Sequence, residues 1–229
     1  MIPWLLIDKA QVPGGGELRL MRRGAEFSIM FGQVELMNSR LSGSEQALAT
    51  IACERIRARE RPRILIGGLG MGFTLRAALA VLGSEARIDV AELVPAVVAW
   101  ARGPLAEVFG DSLADPRVRL READVGRLIR DGRSSYDAIL LDVDNGPEGL
   151  TRKANDALYD TQGLRAAHAA LDPGGVLAVW SSGPNLDFTR RLRRTGFAVD
   201  QARANANGTR GGPRHLIWIA TRADRAPSP

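Results

Sequence analysis

Three carboxylates in this chain stand where a strand gives out: Glu92 ends Arg87-Ile88-Asp89-Val90-Ala91-Glu92, Asp124 ends residues 118–124, and Asp142 ends residues 136–142. An acid closing the second strand of a nucleotide-binding unit can accept two hydrogen bonds from ribose hydroxyls, and Glu92 has that place, 25 positions beyond Gly67. Asp124 can accept from an adenine amino group or cap the helix that follows it, and its sequence position leaves both open. Asp142 lies where open α/β sheets bind ligands, with Asp144 and Glu148 close behind in a long loop of the kind that forms lids. Carboxylates placed there can position an amine or take its proton.

Ahead of the three acids runs Ile64-Leu65-Ile66-Gly67-Gly68-Leu69-Gly70-Met71-Gly72, four of its glycines falling within six residues. The apolar run predicts a central parallel strand, and Leu75, Ala78, Leu79 and Leu82 repeat at helical spacing beyond the glycines. Such a turn leaves backbone amides bare beside a helix N-terminus, where a nucleotide can approach. A glycine turn on one strand plus an acid closing the next is far more specific than either feature alone.

The elements that position these residues follow in order. Residues 1–41 alternate through Leu18, Leu20, Phe27, Ile29, Phe31, Val34 and Leu36, predicting a small antiparallel β extension. Ser42-Gly43-Ser44-Glu45 has capping-box spacing, and Leu48, Ile51, Ala52 and Ile56 give the helix face behind it. Strands and helices then alternate from residue 64 to residue 199, and His215-Leu216-Ile217-Trp218-Ile219-Ala220 returns as a last strand with no helix before it. That strand must therefore run antiparallel to the rest. The expected division is 1–41 extension, 42–222 nucleotide-binding domain and 223–229 tail.

Composition narrows the function classes. A hydrophobic share of 45% and a charged share of 25% are those of a soluble globular protein, and no apolar run reaches the ~20 residues that cross a bilayer. The first residues meet Asp8 too early for a secretory leader, so the default compartment is cytoplasmic. One cysteine, Cys53, rules out a disulfide framework, and His168 and His215 have no ligand cluster nearby, so no metal site is expected. The net charge of +5 comes from arginines interleaved with acids; their densest run, residues 190–194, reads as the exposed face of an amphipathic helix. An RNA partner at that helix stays open as an alternative.

The order of elements, the glycine turn, Glu92, Asp124 and Asp142 together resemble the class I S-adenosylmethionine-dependent methyltransferase fold, and within it the spermidine synthase-like group. Residues 66–72 with Leu75-Arg76, residues 136–142, Leu158-Tyr159 and Leu171-Asp172-Pro173-Gly174-Gly175-Val176-Leu177 carry the likeness across roughly residues 18–220. It implies an α/β, Rossmann-like fold with a mostly parallel seven-stranded sheet, an antiparallel last strand and the N-terminal β extension. It further implies that Gly67, Gly68, Leu69, Gly70 and Gly72 accommodate the methionine and sugar portions of S-adenosylmethionine or its decarboxylated form. Glu92 with Leu93 would hold the ribose, Asp124 with Val125 the adenine, and Asp142, Asp144 and Tyr159 the reacting end. A homodimer and a small-molecule acceptor, such as an amine, are implied with them.

Departures from that group direct the functional expectation. Spermidine synthases have an acid inside the glycine motif where this chain has Gly70, Arg40 stands where an acid is expected, and Asn145 replaces the second acid of Asp-x-x-Asp-Pro. A polyamine channel needs several carboxylates to offset the desolvation of a multiply charged cation. The sequence therefore favours methyl transfer over aminopropyl transfer, with a non-catalytic nucleoside-binding protein as a further alternative. S-adenosylmethionine and S-adenosylhomocysteine are expected to bind at least as well as the decarboxylated donor and methylthioadenosine. Glu35 lies opposite this site in a gap-free overlay and could restore the missing repulsion.

Overall fold

The computed structural model describes residues 2–143, 146–147 and 155–223. Its N-terminal strands β1 (Leu5–Gln11), β2 (Glu17–Arg23), β3 (Glu26–Phe31) and β4 (Val34–Asn38) form one antiparallel sheet in sequential order. Helix α1 (Gly43–Arg55) leads into a second sheet built from β5 (Arg63–Gly67), β6 (Arg87–Glu92), β7 (Val118–Glu122), β8 (Tyr136–Leu141), β9 (Leu171–Ser181), β10 (Phe197–Asn205) and β11 (Arg214–Arg222). Helices α2 (Phe73–Val81), α3 (Pro95–Arg102), α4 (Ala106–Phe109), α5 (Val125–Asp131), α6 (Asp156–Tyr159), α7 (Thr161–Ala170) and α8 (Leu186–Arg194) connect them.

The second sheet has the order β10-β11-β9-β8-β5-β6-β7. Strands β5 to β9 pair in parallel, and β11 runs antiparallel to both neighbours, as the missing helix between β10 and β11 requires. Alternate residues of β5 enter different cores: Ile64 and Ile66 pack on one face with Leu48 of α1 and Val98 of α3, and Leu65 packs on the other with Leu164 and Phe188. The first of these cores also takes in Leu18, Leu20, Phe27 and Ile29. The N-terminal sheet is thus built into the main core rather than hung in front of it.

Strand β1 has no counterpart in the alternation pattern, because Leu5, Leu6 and Ile7 are all exposed on a sheet edge. A register shift between Leu6 and Asp8 re-aims the strand, and the Trp100 indole donates to the Asp8 carboxylate at 2.7 Å, fastening the sheet to α3. Helix α8 buries Phe188 and Leu192, while Arg190 pairs with Asp187 and Arg191 donates to the Tyr159 carbonyl, so part of its basic face serves its own fold. No described helix is long and apolar enough to cross a membrane.

Candidate active site

Register brings the predicted acids together. Gly67 pairs with Leu141 on one side and Ala91 on the other, so Gly68 lies beside Asp142 and Glu92, and the β6–β7 pairing carries Asp124 to the same end. Strand order reverses between β5 and β8, which opens a crevice at their C-terminal ends. The cleft there holds about 870 Å³ including its mouth.

The glycine turn is shaped by close approach. Gly68 has φ +94° and faces the Asp142 carbonyl so tightly that a β-carbon would collide with it. Gly70 has φ +50°, and a β-carbon there would sit 2.7 Å from the methyl of Met37. Gly68, Gly70, Leu93, Asp124, Val125 and Asp142 line the cleft with Glu92. Gly67, Leu69 and Gly72 do not: Gly67 abuts Val125 and Leu141, Leu69 is a core residue, and Gly72 abuts the Phe109 ring.

Glu92 is buried, and the glycine turn pins it. The Leu69 amide donates to one carboxylate oxygen at 3.0 Å and the Val94 amide to the other at 2.8 Å. Burial pushes its carboxyl up, while these amides and those of Leu93 and Gly70 pull it down. Of the amides of the glycine turn, those of Leu69 and Gly70 are thus already engaged by Glu92. Asp124 combines its two candidate placements: it caps α5, accepting from the Arg127 amide at 2.9 Å, and it lines the cleft.

Asp142 is partly exposed at the end of β8, and the Thr74 hydroxyl of α2 donates to its Oδ2 at 2.5 Å. Burial, and then the charge of Glu45, push its carboxyl up to about 7. Sequence reasoning assigned Glu45 to a capping box. Instead α1 starts with no side-chain cap from Ser42, whose hydroxyl accepts from the Gln46 side-chain amide at 3.0 Å, and Glu45 is half-buried. Ser44, wholly buried, donates to Glu45 at 2.6 Å. The signal was available: Glu45 falls in step with Leu48, Ala49 and Ala52, the buried face of α1.

The remaining predicted residues lie elsewhere. Tyr159 is buried in the second core, edge-on to Phe188, with its hydroxyl 3.4 Å from the Val143 carbonyl, so it flanks the site without lining it. Asp144 and Glu148 are outside the described residues. Glu35 is held within its own sheet by Ser28 at 2.7 Å and Asn38 at 2.8 Å, and it is Met37 that stands against Gly70. Arg40 lies outside the cleft, 3.8 Å from Glu26. Unforeseen from sequence, Val12, Leu18, Ile29, Phe31, Leu36 and Met37 form the opposite wall, and Asn155 joins the rim. Among the described lining residues three are acids and none is a cation.

No protein-family model matches the chain. Among curated proteins, polyamine aminopropyltransferase 2 of Pseudomonas aeruginosa is 35% identical over 127 residues, covering 53% of this chain and 34% of that protein. Polyamine aminopropyltransferase 1 of Streptomyces coelicolor is 32% identical over 123 residues, covering 53% and 22%. The polyamine aminopropyltransferase of Mycobacterium tuberculosis is 32% identical over 145 residues, covering 59% and 27%. The chain therefore spans about a third or less of the length of these three relatives. The spermidine synthase of Thermotoga maritima superposes with a TM-score of 0.73 at 16% identity, covering 95% of this chain and 73% of that one. A spermidine synthase in complex with the transition-state analogue AdoDATO superposes at 0.71 and 17% identity, covering 95% and 72%. The fold is spermidine synthase-like, with a Rossmann-like sheet and an N-terminal antiparallel one.

Proposed function

We propose that the chain is a transferase that moves the aminopropyl group of decarboxylated S-adenosylmethionine to a small amine. The observation that carries this reading is the charge of the cleft: Glu92, Asp124 and Asp142 line it without a described cation. A cationic donor and a cationic acceptor suit such a site. The carboxylate of ordinary S-adenosylmethionine would enter it unpaired, against the Met37 thioether, and an unpaired buried carboxylate is strongly disfavoured. This reading replaces the methyl transfer favoured by the loss of an acid at Gly70. Three other acids line the cleft, and the turn amides of Leu69 and Gly70 are already taken by Glu92. The names of the relatives favour the same choice.

In this proposal Glu92 accepts from the ribose hydroxyls, Asp124 from the adenine amine, and Gly68 and Gly70 let the donor approach the backbone. The donor supplies a carbon already made electrophilic by its sulfonium. The protein has to align the acceptor nitrogen in line with it and receive a proton, a task for Asp142. Glu45 and Thr74 set that acid's basicity. A homodimer belongs to the same proposal, and sedimentation at micromolar concentration tests it.

Calorimetric titration with four ligands tests the donor. Decarboxylated S-adenosylmethionine and methylthioadenosine are expected to bind at least about tenfold more tightly than S-adenosylmethionine and S-adenosylhomocysteine, a difference of about 1.4 kcal/mol. The reverse preference would restore methyl transfer. Release of methylthioadenosine with a panel of diamines then identifies the acceptor.

A further inference from the structure

We propose that the edge of the second sheet opposite the candidate active site binds a small phosphate-bearing anion, held by Arg87 and Arg119 with Arg63 beside them. Strands β5, β6, β7 and β8 begin at Arg63, Arg87, Val118 and Tyr136, and a second cleft of about 770 Å³ including its mouth opens at these ends. The candidate active site lies at the other ends of the same strands. The two clefts share no lining residue, so the second does not depend on the transfer reading. Among the described residues lining the second cleft four are arginines and a single one, Asp89, is an acid.

Register gathers these charges on one face. Arg63 pairs with Arg87 and Asp89 with Arg119, and Asp89 lies two residues beyond Arg87 on β6. Side chains two apart on a strand point the same way, so all four stand on the face of Leu65, which pairs with Asp89. Like charges directly opposite each other destabilise a sheet, and Arg63 and Arg87 are so placed in a concave surface. Neighbouring strands lie ~4.8 Å apart, which brings their side chains within reach of one small anion.

The protein does not balance these cations itself. Asp89 is taken by Arg121 at 3.2 Å. Arg117 is spent on Asp115 at 2.8 Å and on the Leu82 carbonyl at 2.7 Å, so it belongs to the wall. Arg63 donates to Asp172 at 2.8 Å and to the Ser134 carbonyl at 3.1 Å, both through Nη2, which leaves Nε and Nη1 without a described acceptor. Arg87 and Arg119 are exposed, and neither makes a side-chain hydrogen bond or ion pair with a described residue. The hydroxyl of half-buried Tyr136 also has no described partner and can donate to the same ligand. A guanidinium presents paired donors that match phosphate oxygens, and a cleft lined by one sign of charge focuses its field on a counter-ion. Three guanidiniums call for more than one negative charge on a compact ion, which a diphosphate group carries and a single carboxylate does not. Bridging β5, β6 and β7, such an anion would offset the repulsion between Arg63 and Arg87.

The test is calorimetric titration of the full chain, at low and constant ionic strength, with inorganic diphosphate and with uridine diphosphate. Inorganic diphosphate should bind at one site per chain and raise the melting temperature. R87Q/R119Q should weaken it about tenfold or more, since two charge-assisted contacts are lost. R193Q/R194Q removes the same charge from exposed positions of α8 and should leave the affinity unchanged. Both pairs are exposed, and R87Q/R119Q without ligand should melt no lower than the parent, because the Arg63–Arg87 repulsion is gone. Equal weakening by the two double variants would reduce the binding to net-charge attraction and overturn the proposal, as would failure of both anions to bind. Tighter binding of uridine diphosphate than of diphosphate, with that margin lost in R87Q/R119Q, would assign the site to a nucleotide. Equal or weaker binding that R87Q/R119Q still reduces would assign it to the inorganic anion.

Discussion

The two walls of the cleft are built on opposite terms. The wall from the first sheet, Val12, Leu18, Ile29, Phe31, Leu36 and Met37, is wholly apolar. The floor from the second sheet presents three carboxylates at the ends of β6, β7 and β8. Neither half would make a site alone. Carboxylates at the open end of a sheet would be solvated and ordinary. With an apolar wall across from them water is thinned, and burial, then the charge of Glu45, pushes the Asp142 carboxyl up to about 7. The wall keeps water from one side of the cleft, and the floor sets where its charges stand.

The largest expected effect comes from neutralising the floor. Asp142→Asn should lower methylthioadenosine release by roughly 10²–10⁴, the usual contribution of a proton-accepting group. The same variant should be more thermostable than the parent at pH 8. The folded Asp142 carboxyl is raised to about 7 from an unfolded value of 3.8, so folding favours the protonated form. Stability from this group is full below about pH 4 and is lost as pH rises toward 7. The asparagine variant lacks that loss, and melting curves at pH 4 and pH 8 should show its advantage only at the higher pH.

Glu92→Ala should act on floor and fold together. It leaves the Leu69 and Val94 amides without an acceptor, and each orphaned buried amide costs about 1–3 kcal/mol. Urea unfolding should register that loss, and all four nucleoside ligands should weaken alike, since they share the ribose. A loss confined to one ligand would place the ribose elsewhere. Met37→Asp sharpens the contrast between the walls by putting an acid opposite Gly70. S-adenosylmethionine should weaken about tenfold against methylthioadenosine, since only the former has a carboxylate to repel. The smallest effect belongs to Cys53, deep in the core behind the wall. Its thiol is buried and pushed up to about 12, so thiol reagents should leave the native chain and its ligand affinities unchanged and label it only on unfolding.

Much of the floor was legible. The strand–glycine–helix run, Glu92, Asp124 and Asp142 are local features, and parallel pairing in register carries each to the same edge. The wall was legible only as strands. Leu18, Phe31 and Leu36 alternate as sheet residues do, but alternation tells which side of a strand is apolar and not what faces it. Strand β1 escaped because three consecutive exposed apolar residues carry no period.

What the sequence by itself determined is the set of contacts made by neighbours in the chain: turns, helix faces and the acids at strand ends. What only the tertiary structure decided is which groups feel one another. Glu45 and Asp142 are distant in sequence, and one local motif read Glu45 as a cap, yet after burial its charge is what pushes the Asp142 carboxyl up. Glu92, read as a ligand's partner, first of all holds the glycine turn. Charge acts through space and strengthens as water is excluded, so the chemistry of this site depends on how the chain closes around it.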